Sequence, residues 1–298
     1  MIATVEKPPP LQGYIDRWLD AQPQQHMALV FVDGRRYPGH LALAAFEQEM
    51  LDAAYGPREP QTVIARLNWW VAELTGAATS GGQHPLTKVL FDDDRALAIP
   101  TAVWTAPALA AISQLEQGTA ADFQGQLTAA EPLHGALAAL ETRWWYGAAA
   151  SAERATQVAV LDHLLHALRR LQQDVDRDRL PLPMGRLAQH GLSREQLRQP
   201  GAARTQAVRE QLHDLLRSWR EVDTRPGPLS VFRAVESRHG RALARHAASA
   251  ADSMAVLGME YSRPGLLTTL HTWRAARAWL RACPPAVGQP VAGAAGQG

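Results

Sequence analysis

Hydrophobic residues recur along this chain with the spacing of amphipathic helices. The longest run spans 158–171 and consists of Val158, Leu161, Leu164, Leu165, Leu168 and Leu171. A second run of the same kind consists of Val208, Leu212, Leu215, Leu216 and Trp219. Spacings of three and four residues place these side chains on one face of a helix. No segment alternates between apolar and polar residues as strands do, so the pattern predicts an all-α fold.

Three further helices are predicted before residue 80. The first carries the apolar stripe Leu11, Tyr14, Ile15, Trp18 and Leu19. The second runs from about His40 to Tyr55 and carries Leu43, Phe46, Met50 and Leu51. The third carries Ile64, Leu67, Trp70, Val71 and Leu74, and we expect Gly76 to end it. A groove or cavity is expected between the helices of Phe46, Trp70 and Leu164.

Breaks rich in proline and glycine separate the helices without dividing the chain. Apolar periodic segments continue on both sides of the last break, Pro226-Gly227-Pro228. Ser193 and Gln196 match a capping box at the start of a helix. We therefore predict one helical domain over 1–283. The segment 284–298 has low complexity and is predicted to be a disordered tail.

Composition narrows the class of protein. The 298 residues include 30 basic and 29 acidic side chains, a balance that argues against nucleic-acid binding. The one cysteine, Cys283, excludes an intramolecular disulfide and a Cys-rich zinc site. The first residues lack the apolar core of a signal peptide, and no window has the roughly 18 apolar residues of a membrane span. We therefore expect a cytoplasmic location.

An acidic cluster lies at the end of the strongest helix. Asp174, Asp176 and Asp178 occur there together with Arg177 and Arg179. Residues four apart share a helix face, so Asp174 and Asp178 could present two carboxylates to a divalent cation such as Mg²⁺. In the alternative interpretation, which we favour slightly, the two arginines neutralise a solvated helix end.

Other candidate residues are better explained by packing or by exposure to solvent than by a functional site. Three consecutive aspartates at 92–94 cannot share one helix face, which indicates a solvated turn or helix end. His163 and His166 lie three apart beside the apolar stripe, and no third metal ligand is evident nearby. The tryptophan pairs at 69–70 and 144–145 are predicted to pack in the core or a groove. The motifs HExxH, GxSxG, GxxxxGK[ST] and GxGxxG are absent.

The order of several segments resembles the squalene/phytoene synthase family. An Ala-Phe helix precedes an Arg-Leu…Trp…Glu-Leu helix, a His-Pro pair, an acidic region, a Leu-Pro pair and a Gly-Leu-Ser turn. The matching positions are Ala45-Phe46, Arg66-Leu67, Trp70, Glu73-Leu74, His84-Pro85, Arg179, Leu182-Pro183 and Gly191-Leu192-Ser193. They extend from about residue 41 to 195, with a weaker match at 273–276.

The resemblance implies a prenyl-synthase-like helical bundle with a central cavity. Active members join two prenyl diphosphates head to head, and two Asp-rich motifs hold Mg²⁺ against the diphosphate that leaves. For this chain the resemblance implies Asp52, Asp174 and Asp178 as metal ligands. It implies Arg66 and Arg179 as substrate-binding residues. Mg²⁺ would be the cofactor of an active enzyme, and no catalytic residue is assigned.

Both Asp-rich motifs are incomplete in this sequence. The first should fall near residues 51–55, where Asp52 is the one acidic residue, and Glu47 and Glu49 lie a turn earlier. The second motif depends on the alignment. Asp174 and Asp178 have the family's spacing, but an alignment without a gap from Leu182-Pro183 puts Asp178 where the family commonly has glycine.

Incomplete motifs are typical of a divergent branch of the family, which includes the mitochondrial complex I assembly factor of this fold. Three functions stay open: a prenyl diphosphate-binding protein with weakened or lost prenyltransferase activity, an active Mg²⁺-dependent head-to-head prenyltransferase, and a non-catalytic assembly or interaction protein. The expected partner is a prenyl diphosphate or a protein. Nucleic acid is not expected, and peripheral membrane association is compatible with the sequence.

Overall fold

The chain forms helices and connecting loops throughout the part that the structure describes. The computed structural model describes residues 10–56, 59–116, 118–259 and 266–283, and these ranges contain no β-strand. The predicted all-α fold is therefore confirmed. Within the same ranges, no helix is both long enough and apolar enough to cross a bilayer. The domain limit at 283 stays a prediction, and the tail predicted over 284–298 lies outside the described residues.

The helices follow one another with short connections. Those of the first half are α1 (Pro10–Ala21), α2 (His26–Leu29), α3 (Pro38–Tyr55), α4 (Pro60–Ser80), α5 (Pro85–Phe91), α6 (Asp94–Leu97), α7 (Thr101–Gln114) and α8 (Phe123–Tyr146), with a 3-10 turn at Pro23–Gln25. Those of the second half are α9 (Glu153–Arg169), α10 (Leu171–Asp176), α11 (Met184–Gln189), α12 (Arg194–Leu197), α13 (Ala202–Val222), α14 (Val231–Ser249), α15 (Ser253–Gly258) and α16 (Leu266–Ala282).

The apolar stripes predicted from the sequence are largely buried, except that Ile64 of the third stripe is 37% exposed. Phe46 and Trp70 belong to a core formed mainly by the first eight helices together with part of α14 and α16. Leu165, Leu212 and Trp219 belong to a second core among α9, α13 and neighbouring elements. Burial of each such side chain contributes about 1.5–3 kcal/mol. Contacts of α8 with α9, and of α14 with the 3-10 turn and α2, join the two halves.

One predicted helix end was wrong. Helix α4 passes through Gly76 and ends at Ser80, and Gly81 follows with a φ of 84°. A glycine inside a helix costs only about 1 kcal/mol. Ala77, one residue further on, is buried, so packing continues beyond Gly76. The left-handed backbone at Gly81 is the conformation that glycine adopts readily after a helix.

Trp69 also differs from its prediction. Three of the four paired tryptophans, Trp70, Trp144 and Trp145, are buried as expected, whereas Trp69 is 49% exposed. Its ring lies edge-on to Trp70 and to His84 at the surface. Adjacent residues on a helix point about 100° apart, so one member of a pair can face solvent while the other is buried.

Two predictions about caps and turns are confirmed. Ser193 and Gln196 form both hydrogen bonds of a capping box at the start of α12. The aspartates at 92–94 lie at a turn between α5 and α6, where the Asp93 side chain accepts a hydrogen bond from the Arg95 amide. Neither feature contributes to the cavity described below.

His40 occupies an aromatic enclosure on α3. Its ring centroid lies 4.3 Å from Trp145, 5.2 Å from Trp279 and 5.5 Å from Tyr37. Neither imidazole nitrogen has a hydrogen-bond partner within the described ranges. Burial, together with the nearby Arg95, lowers the pKa of His40 to about 3. The imidazole is therefore neutral in the folded protein at neutral pH.

This burial predicts an acid-sensitive contribution to stability. A pKa that is depressed in the folded state stabilises the protein above the unfolded pKa of about 6.5, and that stability is lost as the pH falls towards the folded pKa. Between pH 6.5 and pH 5 the native protein should lose about 2 kcal/mol of its free energy of unfolding through His40, and the His40→Phe variant should not show this loss. Urea unfolding at several pH values measures it. The exposed His213→Phe serves as the control, and parallel curves for native protein and His40→Phe would contradict the assignment.

Candidate functional site

A cavity of about 710 Å³ lies between the two halves of the helical bundle. Its walls come from α1, α3, α8, α9 and α14, and Arg66 of α4 lies at its edge. The predicted cavity between the helices of Phe46, Trp70 and Leu164 is therefore confirmed. We call its buried charged residues the floor and its solvent-reaching cationic residues the mouth.

Arg233 forms the centre of the floor. Its guanidinium donates to Glu47 Oε2 at 2.9 Å, Glu141 Oε2 at 2.9 Å and Glu236 Oε2 at 2.7 Å. The three carboxyl groups come from α3, α8 and α14. Ser230, which caps α14, also donates to Glu141 Oε1 at 2.5 Å. We call Arg233, Glu47, Glu141 and Glu236 the buried quartet.

Negative charge exceeds positive charge within the buried quartet. Burial and the neighbouring Glu141 raise the pKa of Glu47 well above its usual range. Burial also raises the pKa of Glu236 to about 7, because the single guanidinium compensates its charge only in part. The Oε1 atom of Glu47 is buried and has no partner within the described ranges. A protonated Glu47 accounts for this arrangement, since isolated buried charge is costly.

A second charged pair lies beside the buried quartet. Asp162 Oδ2 and His166 Nδ1 are 3.1 Å apart, one helical turn apart on α9. Burial alone would raise the pKa of Asp162, but the facing imidazole lowers it, and the carboxylate in turn raises the pKa of His166. His166 is thus an ion-pair partner of Asp162 in the cavity wall.

Two neutral histidines and a tyrosine form a wall of the cavity. The rings of His134 and His163 stack with centroids 4.1 Å apart, and the Tyr55 hydroxyl lies 3.2 Å from His134 Nε2. Burial lowers the pKa of His163 to about 3 and holds that of His134 well below its usual value. Tyr55 and His163 also line a smaller cavity of about 300 Å³. The stack therefore separates the two cavities.

The mouth carries cations without carboxylate partners. Within the described ranges, four arginines that line the large cavity have no ion-pair partner: Arg66, Arg169, Arg170 and Arg177. Arg169 donates only to the carbonyl of Leu257, at 3.2 Å. Asp52 on α3 accepts a hydrogen bond from Gln48 at 3.0 Å and has no cationic partner among the described residues. The residual charge at the mouth is therefore positive.

The structure places the first-motif candidates in different environments. Asp52 lines the large cavity. Glu47 and Glu49, a turn earlier, are already paired, with Arg233 and with Arg17 at 2.6 Å. In the part of the chain that the structure describes, Asp52 is consequently the one first-motif carboxylate that lines the large cavity without a cationic partner.

Asp174 and Asp178 do not share a helix face. Helix α10 ends at Asp176, and Asp178 lies beyond it with a left-handed φ of 61°. The side chain of Asp174 is buried and accepts from Arg179 at 2.9 Å. Asp178 is exposed and pairs with Arg194 at 2.5 Å. Both line the smaller cavity, on the far side of Tyr55 and His163 from Asp52.

The sequence predicts that Arg177 and Arg179 neutralise the aspartates at 174–178, and the structure agrees with this only for Arg179. Arg179 neutralises Asp174, as expected, and its guanidinium also lies 5.9 Å from the centre of the Tyr55 ring. Arg177, however, lines the large cavity, and Arg198 of the following chain segment pairs with Asp176 at 3.0 Å. Arg66 is at the mouth, whereas Arg179 lies in the smaller cavity, so the two predicted substrate-binding arginines are not together.

The carboxylates of this chain do not fit a metal–diphosphate centre. Mg²⁺ prefers several oxygen ligands in near-octahedral geometry. In the large cavity the acidic residues other than Asp52 are already ion-paired, and in the smaller cavity Asp174 and Asp178 are paired with arginines. No group of three or more His, Cys, Asp or Glu side chains within the described ranges is arranged to hold a metal ion.

Sequence reasoning missed the buried quartet and most of the mouth. Arg233 is buried near the start of α14 beside the apolar residues Val231, Phe232 and Val235. An arginine among these apolar residues was the one feature of the sequence that could have indicated a buried ion pair. Arg170 gave no signal, because its position depends on the break between α9 and α10, where its backbone has φ −97° and ψ 19°.

Comparison with known proteins identifies the scaffold. The model of the squalene/phytoene synthase family matches residues 22–224, well over half of the 298 residues. A crystal structure of a dehydrosqualene synthase superposes with a TM-score of 0.64 at 11% identity, covering 92% of this chain and 99% of that chain.

A second solved structure gives the same result. Squalene synthase HpnC from Alicyclobacillus acidocaldarius superposes with a TM-score of 0.57 at 14% identity, covering 83% of this chain and 92% of that chain. At these identities the two likenesses show a shared fold. A sequence comparison with curated proteins found no match.

The buried quartet predicts a large effect for loss of its cation. Arg233→Met should lower the free energy of unfolding by about 3–5 kcal/mol, because three buried carboxyl groups then lack a counter-charge. The pKa values of Glu47 and Glu236, already raised by burial, should rise further without the guanidinium, so the stability deficit of this variant should shrink as the pH falls from 7 to 5. Urea unfolding measures both. Arg225→Met breaks the exposed pair with Glu153 and should cost no more than about 1 kcal/mol; equal losses would contradict the assignment.

The two aspartates of the acidic run should respond differently. Asp174→Asn removes a buried ion pair and should cost about 1–3 kcal/mol. Asp178→Asn keeps a residue that tolerates the left-handed backbone and should change stability by no more than about 0.5 kcal/mol. Thermal unfolding and titration with farnesyl diphosphate and Mg²⁺ are the measurements. Equal loss of metal-dependent binding in both variants would show instead that they share a metal site.

Proposed function

The chain belongs to the squalene/phytoene synthase family, and we propose that it binds one prenyl diphosphate, with weakened or lost head-to-head prenyltransferase activity. The charge distribution of the large cavity carries this proposal. Among the described residues, the four arginines at the mouth have no carboxylate partner, while the acidic residues of the floor are paired or protonated. An anion is the ligand that such a mouth attracts.

A diphosphate suits the mouth better than a smaller anion does. Arg66 comes from α4, Arg170 from the break after α9, and Arg177 from the loop after α10. Guanidinium groups bind phosphate oxygens through two parallel hydrogen bonds. Several such groups approaching from different elements match an anion with many oxygens, and their fixed charge requires no metal.

The interior of the cavity suits a prenyl chain. Apolar side chains interrupt its charged lining, namely Trp18, Leu51, Leu137, Phe232 and Leu257. A volume of about 710 Å³ lies within the roughly 300–1,000 Å³ typical of a site for one small ligand. The Tyr55 and His163 wall closes the cavity on the side of the smaller one.

Weakened chemistry follows from the way in which the diphosphate would be held. Rate acceleration requires interactions that strengthen as the diphosphate leaves. In the family, carboxylate-held Mg²⁺ neutralises that developing charge. Arginines that bind the intact diphosphate as tightly as the departing one stabilise the bound substrate and the transition state to the same extent, and so they do not accelerate the reaction. Family membership assigns the protein to an isoprenoid context.

Metal-independent binding is the expected result. Isothermal titration with farnesyl diphosphate should give the same affinity, within a few-fold, in EDTA and in Mg²⁺. The double variant Arg66→Gln/Arg170→Gln should weaken binding at least about tenfold, since each charge-assisted contact contributes about 1.5–3 kcal/mol. Arg220→Gln, an exposed arginine of α13 outside both cavities, is the matched control and should bind normally.

Product analysis tests the second half of the proposal. Incubation with farnesyl or geranylgeranyl diphosphate and Mg²⁺ should give little or no squalene- or phytoene-type product. Robust Mg²⁺-dependent turnover that Asp52→Asn abolishes would instead identify an active prenyltransferase. Absence of both turnover and binding would leave the interaction-protein function as the better explanation.

A further inference from the structure

Helix α16 exposes an apolar surface that no described element covers. Leu266 is 90% exposed and Leu267 62%, and Leu270 and Trp273 are each 40% exposed. The opposite side of the helix is buried through Thr268, Thr272, Ala276 and Trp279. Large apolar side chains clustered at a surface indicate an interaction site rather than chance exposure.

The same helix is strongly basic. Its sequence contains Arg274, Arg277 and Arg281 and no acidic residue. Burial, followed by the positive charges of Arg238 on α14 and of Arg274, lowers the pKa of His271, so Arg238 lies close enough to add to the positive charge around this helix. The Arg277 guanidinium lies 5.0 Å from the centre of the Trp273 ring. We call the exposed leucines, Trp273 and the arginines of α16 the α16 surface.

We propose that the α16 surface docks the protein on an anionic lipid membrane. Leucine and tryptophan side chains enter the boundary between headgroups and acyl chains, and arginines bind anionic headgroups. Each arginine near such a surface contributes about a factor of five in affinity. The family model ends at residue 224, before this helix begins.

Charge decides between a membrane and a second copy of this chain. A symmetric dimer through α16 would place the same patch of each copy against the other. Arginines would then oppose arginines, and the helix offers no carboxylate to pair with them. An anionic bilayer supplies both the negative charge and the apolar phase that the α16 surface requires.

Vesicle flotation tests the proposal with the full chain. The protein should float with vesicles of phosphatidylcholine and phosphatidylglycerol and should stay unbound with phosphatidylcholine alone. Leu270→Ser/Trp273→Ser should reduce binding at least about tenfold. Arg274→Gln/Arg277→Gln should reduce it by about 30-fold, and added salt should weaken binding of the native protein.

Matched controls separate docking from folding and from ligand binding. Leu109→Ser on α7 and Arg220→Gln on α13 change an exposed leucine and an exposed arginine elsewhere, and both should float as the native protein does. All variants should retain the native circular dichroism spectrum and affinity for farnesyl diphosphate. No flotation with anionic vesicles, or equal flotation with neutral ones, would overturn the proposal. So would a dimer in light scattering that Leu270→Ser/Trp273→Ser abolishes.

Discussion

The arrangement of the cavity depends on one buried cation. Arg233 contacts carboxyl groups from α3, α8 and α14, so three helices that are distant in sequence converge on a single guanidinium. Removing charges from water is costly, and the cost is offset only when the geometry satisfies every partner. The spacing of these helices is therefore fixed by hydrogen bonds as well as by packing. The same contacts engage Glu47, which would otherwise be a candidate metal ligand next to Asp52.

The helices could be predicted from the sequence, but the pairing of the charged side chains could not. Stripes such as Leu161, Leu165 and Leu168 predict helices because burial of one face requires only local periodicity. The end of α4 was mispredicted at Gly76 because tertiary packing outweighed a small local penalty. Glu236 is three residues from Arg233 on the same helix, but the other two partners lie at positions 47 and 141, and no local pattern connects those to Arg233. Ion pairing between helices depends on the tertiary structure, so it cannot be predicted from local patterns in a single sequence.

The acidic run at 174–178 shows the same limit at shorter range. Spacing alone allowed two aspartates on one helix face, provided that the helix continued. It ends at Asp176, and the left-handed backbone at Asp178 turns the second carboxylate towards Arg194. Packing of an all-α bundle tolerates such changes, since the fold is shared with a protein of 11% sequence identity. Site chemistry has no such tolerance, because one residue of altered register moves a ligand out of reach.

Helix α14 connects the two features for which we propose functions. One face supplies Phe232, Arg233 and Glu236 to the large cavity, and the helix also packs against α16. A prenyl diphosphate is itself amphipathic, with a chain that partitions into lipid and a head that stays in water. A protein that takes such a ligand from a bilayer needs an apolar contact with lipid and a cationic site for the head. The buried quartet ties α14 to α3 and α8, and α16 packs against α14. Helix α14 therefore sets the position of the α16 surface relative to the cavity.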